Sequence, residues 1–117
     1  MSLLNKIINI IQDYNNQPIL LIFSASWCGP CRKLKSKLND DTDEKIQQIK
    51  DMKYIIFDVD EEDNDELCST FQVKGIPYQI FVNLDENNNI NVLHRIVGYS
   101  IEELIEAYNH LTNGLSF

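Results

Sequence analysis

Basic residues are scarce in this chain: ten lysines and arginines stand against 18 aspartates and glutamates, a formal net charge of -8. The averaged field around such a molecule repels phosphate backbones and anionic lipid headgroups, so neither nucleic acid nor a membrane surface is an expected partner. A basic face on another protein suits it better. Long apolar runs are also missing. Ile19 to Phe23 falls far short of the roughly 20 residues that cross a bilayer. Met1 to Asn16 alternates apolar and polar residues, with no signal-peptide core and no small-residue cleavage site. Three cysteines, one of them without a partner, do not make a disulfide framework and fit a reducing compartment, so the expected location is the cytoplasm. Zinc lacks ligands as well. Beyond Cys28, Cys31 and Cys68 a fourth would have to be His94 or His110, and there is no second close cysteine pair. No metal is expected, and neither histidine is read as a base. There is no internal repeat, and Asn87-Asn88-Asn89 reads as a turn.

What is present describes one globular domain, residues 1–117, of which 44% are hydrophobic and 24% charged. Leu4, Ile7, Ile8, Ile11 and Tyr14 fall at spacings of three and four, which predicts an amphipathic helix with Ser2 as its cap. Asn15-Asn16-Gln17-Pro18 breaks the pattern, and Ile19 to Phe23 reads as a strand buried on both faces. A small-residue loop from Ser24 to Gly29 leads into a second helix, with Pro30 in its first turn and Leu34 and Leu38 along one face. Asp40 to Asp43 interrupts it. Asp41 and Glu44 have capping-box spacing, so Ile46, Ile49 and Met52 ride either a restarted turn or a kinked continuation. Tyr54 to Val59 reads as a second strand, and Asp63 with Glu66 as a capping box before a short helix carrying Leu67 and Phe71. Tyr78 to Leu84 and Ile90 to Val97, joined by the turn Asp85 to Asn89, predict an antiparallel hairpin ended by Gly98. Ser100 with Glu103 caps a closing helix through Ile101, Leu104, Ile105, Tyr108 and Leu111 that stops near Gly114. The order αβαβαββα describes an α/β domain, a mixed sheet with helices on both faces.

The segment Trp27-Cys28-Gly29-Pro30-Cys31 carries chemistry. A thiolate attacks disulfides where a thiol does so poorly. With Cys28 at a helix entrance, unpaired N–H groups and the positive end of the helix dipole favour the anion and lower its pKa below that of a free thiol. Cys31, one turn on, is close enough to attack a mixed disulfide on Cys28 and release its partner. Gly29 and Pro30 suit the tight entry, and Arg32 adds positive charge. Trp27 shields the sulfur and offers an apolar surface, the alternative being a core aromatic.

Phe23-Ser24-Ala25-Ser26-Trp27-Cys28-Gly29-Pro30-Cys31, then Gly75-Ile76-Pro77, then Gly98 before the last helix, resemble the thioredoxin family from about Pro18 to Leu111. The resemblance implies the thioredoxin fold with about four strands flanked by four helices, the family's N-terminal edge strand being absent and Tyr54 to Val59 left as an open edge. It implies that Cys28 is the nucleophile, Cys31 the resolving thiol, and Pro77 a cis proline packed against them, although a trans proline opening an edge strand is the alternative. It also implies that the Ile76 backbone pairs with an extended substrate, with Gly75 and Gly98 lining the groove. Disulfide-containing proteins are then the substrates, a thioredoxin reductase or another dithiol donor the source of electrons, no cofactor is bound, and the chain works as a monomer. Some features depart from the family. Ile22 stands where many members bury an aspartate that helps the resolving thiol lose its proton, and Ile56 near the lysine often paired with it; the second step should be slowed. Ser36 replaces a mid-helix proline, and Tyr78 replaces a small hydroxyl residue, which could reshape the groove. Cys68 is expected in the core, a regulatory thiol being the lesser alternative. The acidic run Asp58, Asp60, Glu61, Glu62, Asp63, Asp65 and Glu66 is a solvated corner or a docking patch beside the dithiol. Against a reductase stand a thioredoxin-like scaffold with weak redox activity and a disulfide oxidase or isomerase; Gly-Pro between the cysteines favours the reductant.

Overall fold

The computed structural model describes residues 2–113. The Ser2 hydroxyl accepts the Asn5 N–H at 3.1 Å and opens α1, Leu3–Asp13, which buries Ile7 and Ile11. Asn15 and Asn16, both in the left-handed region with φ of 59° and 56°, end it, a conformation that asparagine tolerates better than most residues. The Asn16 side chain then imitates a strand, accepting the Leu84 N–H at 2.7 Å and donating to the Leu84 carbonyl at 3.1 Å.

β1, Ile19–Ser24, is buried along its whole length because it has a core on each side. Ile19, Leu21 and Phe23 join Ile7, Ile11 and Leu67 on one face. Leu20 and Ile22 join Leu34, Ile46, Ile96 and Leu104 on the other. A strand packed on both faces needs apolar side chains at successive positions, which is what its continuous run supplies. β2, Tyr54–Asp58, runs parallel to β1, while β3, Tyr78–Leu84, is antiparallel to it and pairs with β4, Ile90–Val97. Among the described residues the sheet has four strands in the order β2-β1-β3-β4, so β2 is an edge, as expected. The parallel connection places α2, Gly29–Leu38, on the face where α5, Ile101–Asn113, also packs.

Some expected details change. Four flanking helices were expected; a single turn, α3, Glu44–Gln47, is added to α1, α2, α4 (Asp65–Thr70) and α5. α3 restarts the helix rather than continuing α2 through a kink. Its cap is Asp43, whose Oδ1 accepts the Lys45 N–H at 2.8 Å, and not Asp41. Asp43 alone lies directly before the turn. The expected Asp63–Glu66 box does not form, because Glu62–Asn64 is a 3-10 turn and α4, Asp65–Thr70, follows with no side-chain cap. β2 ends at Asp58, although the Val59 N–H still reaches the Ser24 carbonyl at 2.9 Å. Ser100 does cap α5, accepting the Glu103 N–H at 3.2 Å. The expected stop near Gly114 lies outside the described residues.

Candidate active site

The central strand ends at Ser24 and the chain turns directly into α2, so whatever caps α2 is held at the sheet's edge by two rigid elements. That cap is Cys28, with extended backbone (φ -89°, ψ 113°) and its Sγ accepting the Cys31 N–H at 3.3 Å. Gly29 and Pro30 form the first helical positions, where proline's missing N–H would have had no helical partner. Cys28 and Cys31 are joined in a disulfide, with Cα atoms 5.2 Å apart. They pack with Ala25, Val59 and Ile76, Cys28 the more exposed of the two at 6% against 1%. The Cys31 amide and the positive end of α2 thus both face the Cys28 sulfur.

The loop before β3 faces this pair. The Ile76–Pro77 bond is cis, and the Ile76 carbonyl oxygen lies 3.8 Å from the Cys28 Sγ. Gly98, with φ +91°, donates its N–H to the Pro77 carbonyl at 2.8 Å and so closes the end of the hairpin over the cis bond. At Gly75 a Cβ would come within 3.3 Å of Val97 Cγ1, a tight approach between the loop before β3 and the end of β4. Trp27 and Val97 are each 66% exposed, so Trp27 is not a core aromatic. The Trp27 indole N–H donates to Asp60 Oδ2 at 2.8 Å. Arg32 folds back and donates to the Ser26 carbonyl at 2.9 Å, bracing the loop before Cys28. A groove of about 270 Å³ runs past Trp27, Cys68, Lys74, Gly75 and Ile76.

The family model described as Thioredoxin matches residues 5–107. The chain belongs to the thioredoxin family. It is 29% identical over 91 residues to the mitochondrial thioredoxin of Mus musculus, a match covering 78% of this chain and 49% of that protein. The chain thus spans about half the length of the curated relatives it matches. The structure of Trichomonas vaginalis thioredoxin is 30% identical, with a TM-score of 0.68 and 89% of each chain covered. Fasciola hepatica thioredoxin shares the fold at 23% identity, with a TM-score of 0.72 over 95% of this chain and 99% of that one.

Other positions look different in this thioredoxin fold from their sequence reading. Tyr78 does not enter the groove. It points into the core under Phe71, its hydroxyl donating to the Phe71 carbonyl at 3.2 Å and accepting the Arg95 Nε–H at 3.0 Å. Cys68 is half-buried, not a full core residue, and lines the groove. Burial first, and Asp65 second, push its thiol pKa up. Ile22 is 1% exposed and lies in register with Ile56, so both positions that usually carry charge join the apolar core. Asp60 was visible only as one acid among many. It is singled out by strand register, which sets Ser24 beside Asp58 and brings this corner up to Trp27. His94 and His110 line a separate cavity of about 640 Å³ with Glu103 and Glu106. Among the described residues no group of three or more histidines, cysteines or acids is placed to hold a metal ion, and no helix is long and apolar enough to cross a membrane.

Proposed function

We propose that this chain reduces protein disulfides by cycling Cys28 and Cys31 between dithiol and disulfide. The Cys28 thiolate attacks one sulfur of the substrate disulfide; a new S–S bond forms and the other substrate sulfur leaves as a thiolate. Cys31, having lost its proton, attacks the Cys28 sulfur, closes the Cys28–Cys31 bond and expels the second substrate thiolate. Two electrons pass to the substrate, and a dithiol donor such as a thioredoxin reductase returns them. Trp27, Gly29 and Pro30 shape the approach to the sulfur, while Gly75, Ile76, Pro77 and Gly98 receive the extended substrate. The observation that carries this reading is the Cys31 N–H directed at the Cys28 Sγ from the first turn of a helix. The sparse cysteines favour a reducing compartment, the cytoplasm, and both sulfurs of the cycle lie in one chain, so a monomer suffices. The test is turnover of insulin disulfides by the reduced protein, with Cys28→Ser as control; no turnover would leave a scaffold, the reading that the apolar Ile22–Ile56 pair favours.

The acidic corner adds a prediction about substrates. Asp60, Glu61, Glu62, Asp63, Asp65 and Glu66 are all exposed, and Asp60 is joined to Trp27 at the dithiol. Turnover of a basic protein disulfide should fall several-fold as salt rises from about 50 to 500 mM, because screening shortens the reach of these charges. Turnover of the uncharged hydroxyethyl disulfide should stay within about twofold over the same range. Equal losses with both substrates, measured as initial rates, would remove the corner from substrate docking.

A further inference from the structure

β3 holds one polar side chain that its surroundings do not call for. Gln79 is wholly buried, flanked by Tyr78 and Ile80 along the strand and paired with Ile22 on one side and Ile96 on the other. Its Nε2 is ringed by three carbonyl oxygens, those of Pro77 and Gly98 at 3.1 Å and that of Ile96 at 3.4 Å. Three acceptors around one terminal atom settle which end of the amide faces them: the NH2 does. An NH2 has two hydrogens, so Pro77 and Gly98 each take one and Ile96 takes a weaker share. The Oε1 then points away, buried and with no hydrogen-bond partner among the described residues.

An apolar side chain of equal length would fill this space without leaving a buried acceptor unpaired, which is the less favourable arrangement. What the amide supplies is its donors, and these go to the residue that follows Ile76 and to the turn at the end of β4. The Pro77 carbonyl already accepts the Gly98 N–H. With the Gln79 bond both its lone pairs are engaged, and the Gly98 carbonyl is drawn to the same amide. We infer that Gln79 is a positioning residue: it clamps the cis-Pro77 loop to the Gly98 turn and so fixes the Ile76 main-chain edge that receives an extended peptide carrying the disulfide. The inference rests on the reductase reading, because the edge matters only if peptides pair with it.

Gln79→Met keeps the length, removes both donors and removes the orphaned acceptor. The KM for a disulfide-bearing peptide should rise about fivefold, with kcat changed less than about twofold, while the rate with hydroxyethyl disulfide, too small to pair with the edge, stays at the wild-type value. A purely structural role would instead move both substrates together. In the wild type, the Gln79 side-chain amide protons should exchange with solvent far more slowly than those of exposed Gln12, a measurement that needs no variant to fold. An unchanged KM in Gln79→Met, equal losses with both substrates, or exchange as fast as at Gln12 would each overturn the clamp while leaving the reductase reading standing. A wild type that reduces no disulfide would overturn the reductase reading, and the positioning role with it.

Discussion

Cys28→Ser should lower protein-disulfide turnover about a thousandfold or more, and Cys31→Ser should react once and then stop. A serine hydroxyl keeps the position but stays protonated at neutral pH, so the helix entrance has no anion to stabilise. Cys31→Ser leaves the Cys28 sulfur at the helix cap, where the residue 31 N–H can still reach it, because a serine at 31 retains that backbone group. Attack on the substrate should therefore proceed at close to the wild-type rate. The mixed disulfide then has no neighbour to resolve it, since the only other cysteine is Cys68, half-buried on another helix. Mass spectrometry of each variant after mixing with a disulfide peptide should show one peptide bound per chain in Cys31→Ser and none on residue 28 in Cys28→Ser. Wild-type turnover by Cys31→Ser would remove the two-sulfur mechanism.

Phe23→Ala should destabilise the fold by about 3 to 5 kcal/mol, read from chemical unfolding of the oxidised protein. Phe23 is wholly buried in the central strand, and its ring meets Phe57 at 5.4 Å, Tyr78 at 6.1 Å and Phe71 at 6.2 Å between centroids. Those partners come from β2, β3 and the end of α4, so one side chain ties three elements to the strand that carries the active-site loop. Truncation opens a cavity that none of them can close without moving the sheet. A domain of this kind is stable by about 5 to 15 kcal/mol in total, so the loss is a large share. A loss below about 1 kcal/mol would mean that the rings repack, and that Phe23 does not anchor the loop.

The buried strands were legible because apolar runs and alternation record burial directly: Ile19 to Phe23 and the hairpin both appear where expected. The helix cap at Cys28 was legible from Pro30 and the cysteine spacing. Caps within acidic stretches were not. Asp40, Asp41 and Asp43 can each accept a backbone N–H, and only the observed start of α3 distinguishes Asp43. A resemblance gives positions without directions. Tyr78 shares its strand face with Ile80 and Val82, so its ring goes into the core although Ile76, two residues earlier, lines the groove. Cys68 fell on the inward side of a short helix, but the groove opens beside it. Gln79 left a trace in the sequence, as an uncharged polar residue directly before the apolar run Ile80 to Val82, but its meaning depended on the carbonyls of Pro77, Ile96 and Gly98 meeting at its amide.

The proposed chemistry depends on a thiolate held at a helix entrance, and its most direct test is the rate of alkylation at each cysteine of the reduced protein between about pH 5 and pH 9. Cys28 should react with a midpoint well below the ~8.5 of a free thiol, and at neutral pH it should outpace a cysteine in an unfolded peptide about tenfold. Cys68, its pKa raised by burial, should lag behind that peptide and serve as the internal reference. If Cys28 instead follows the peptide's pH curve, and oxidation fails to protect it together with Cys31, the dithiol is inert and the proposed chemistry is wrong.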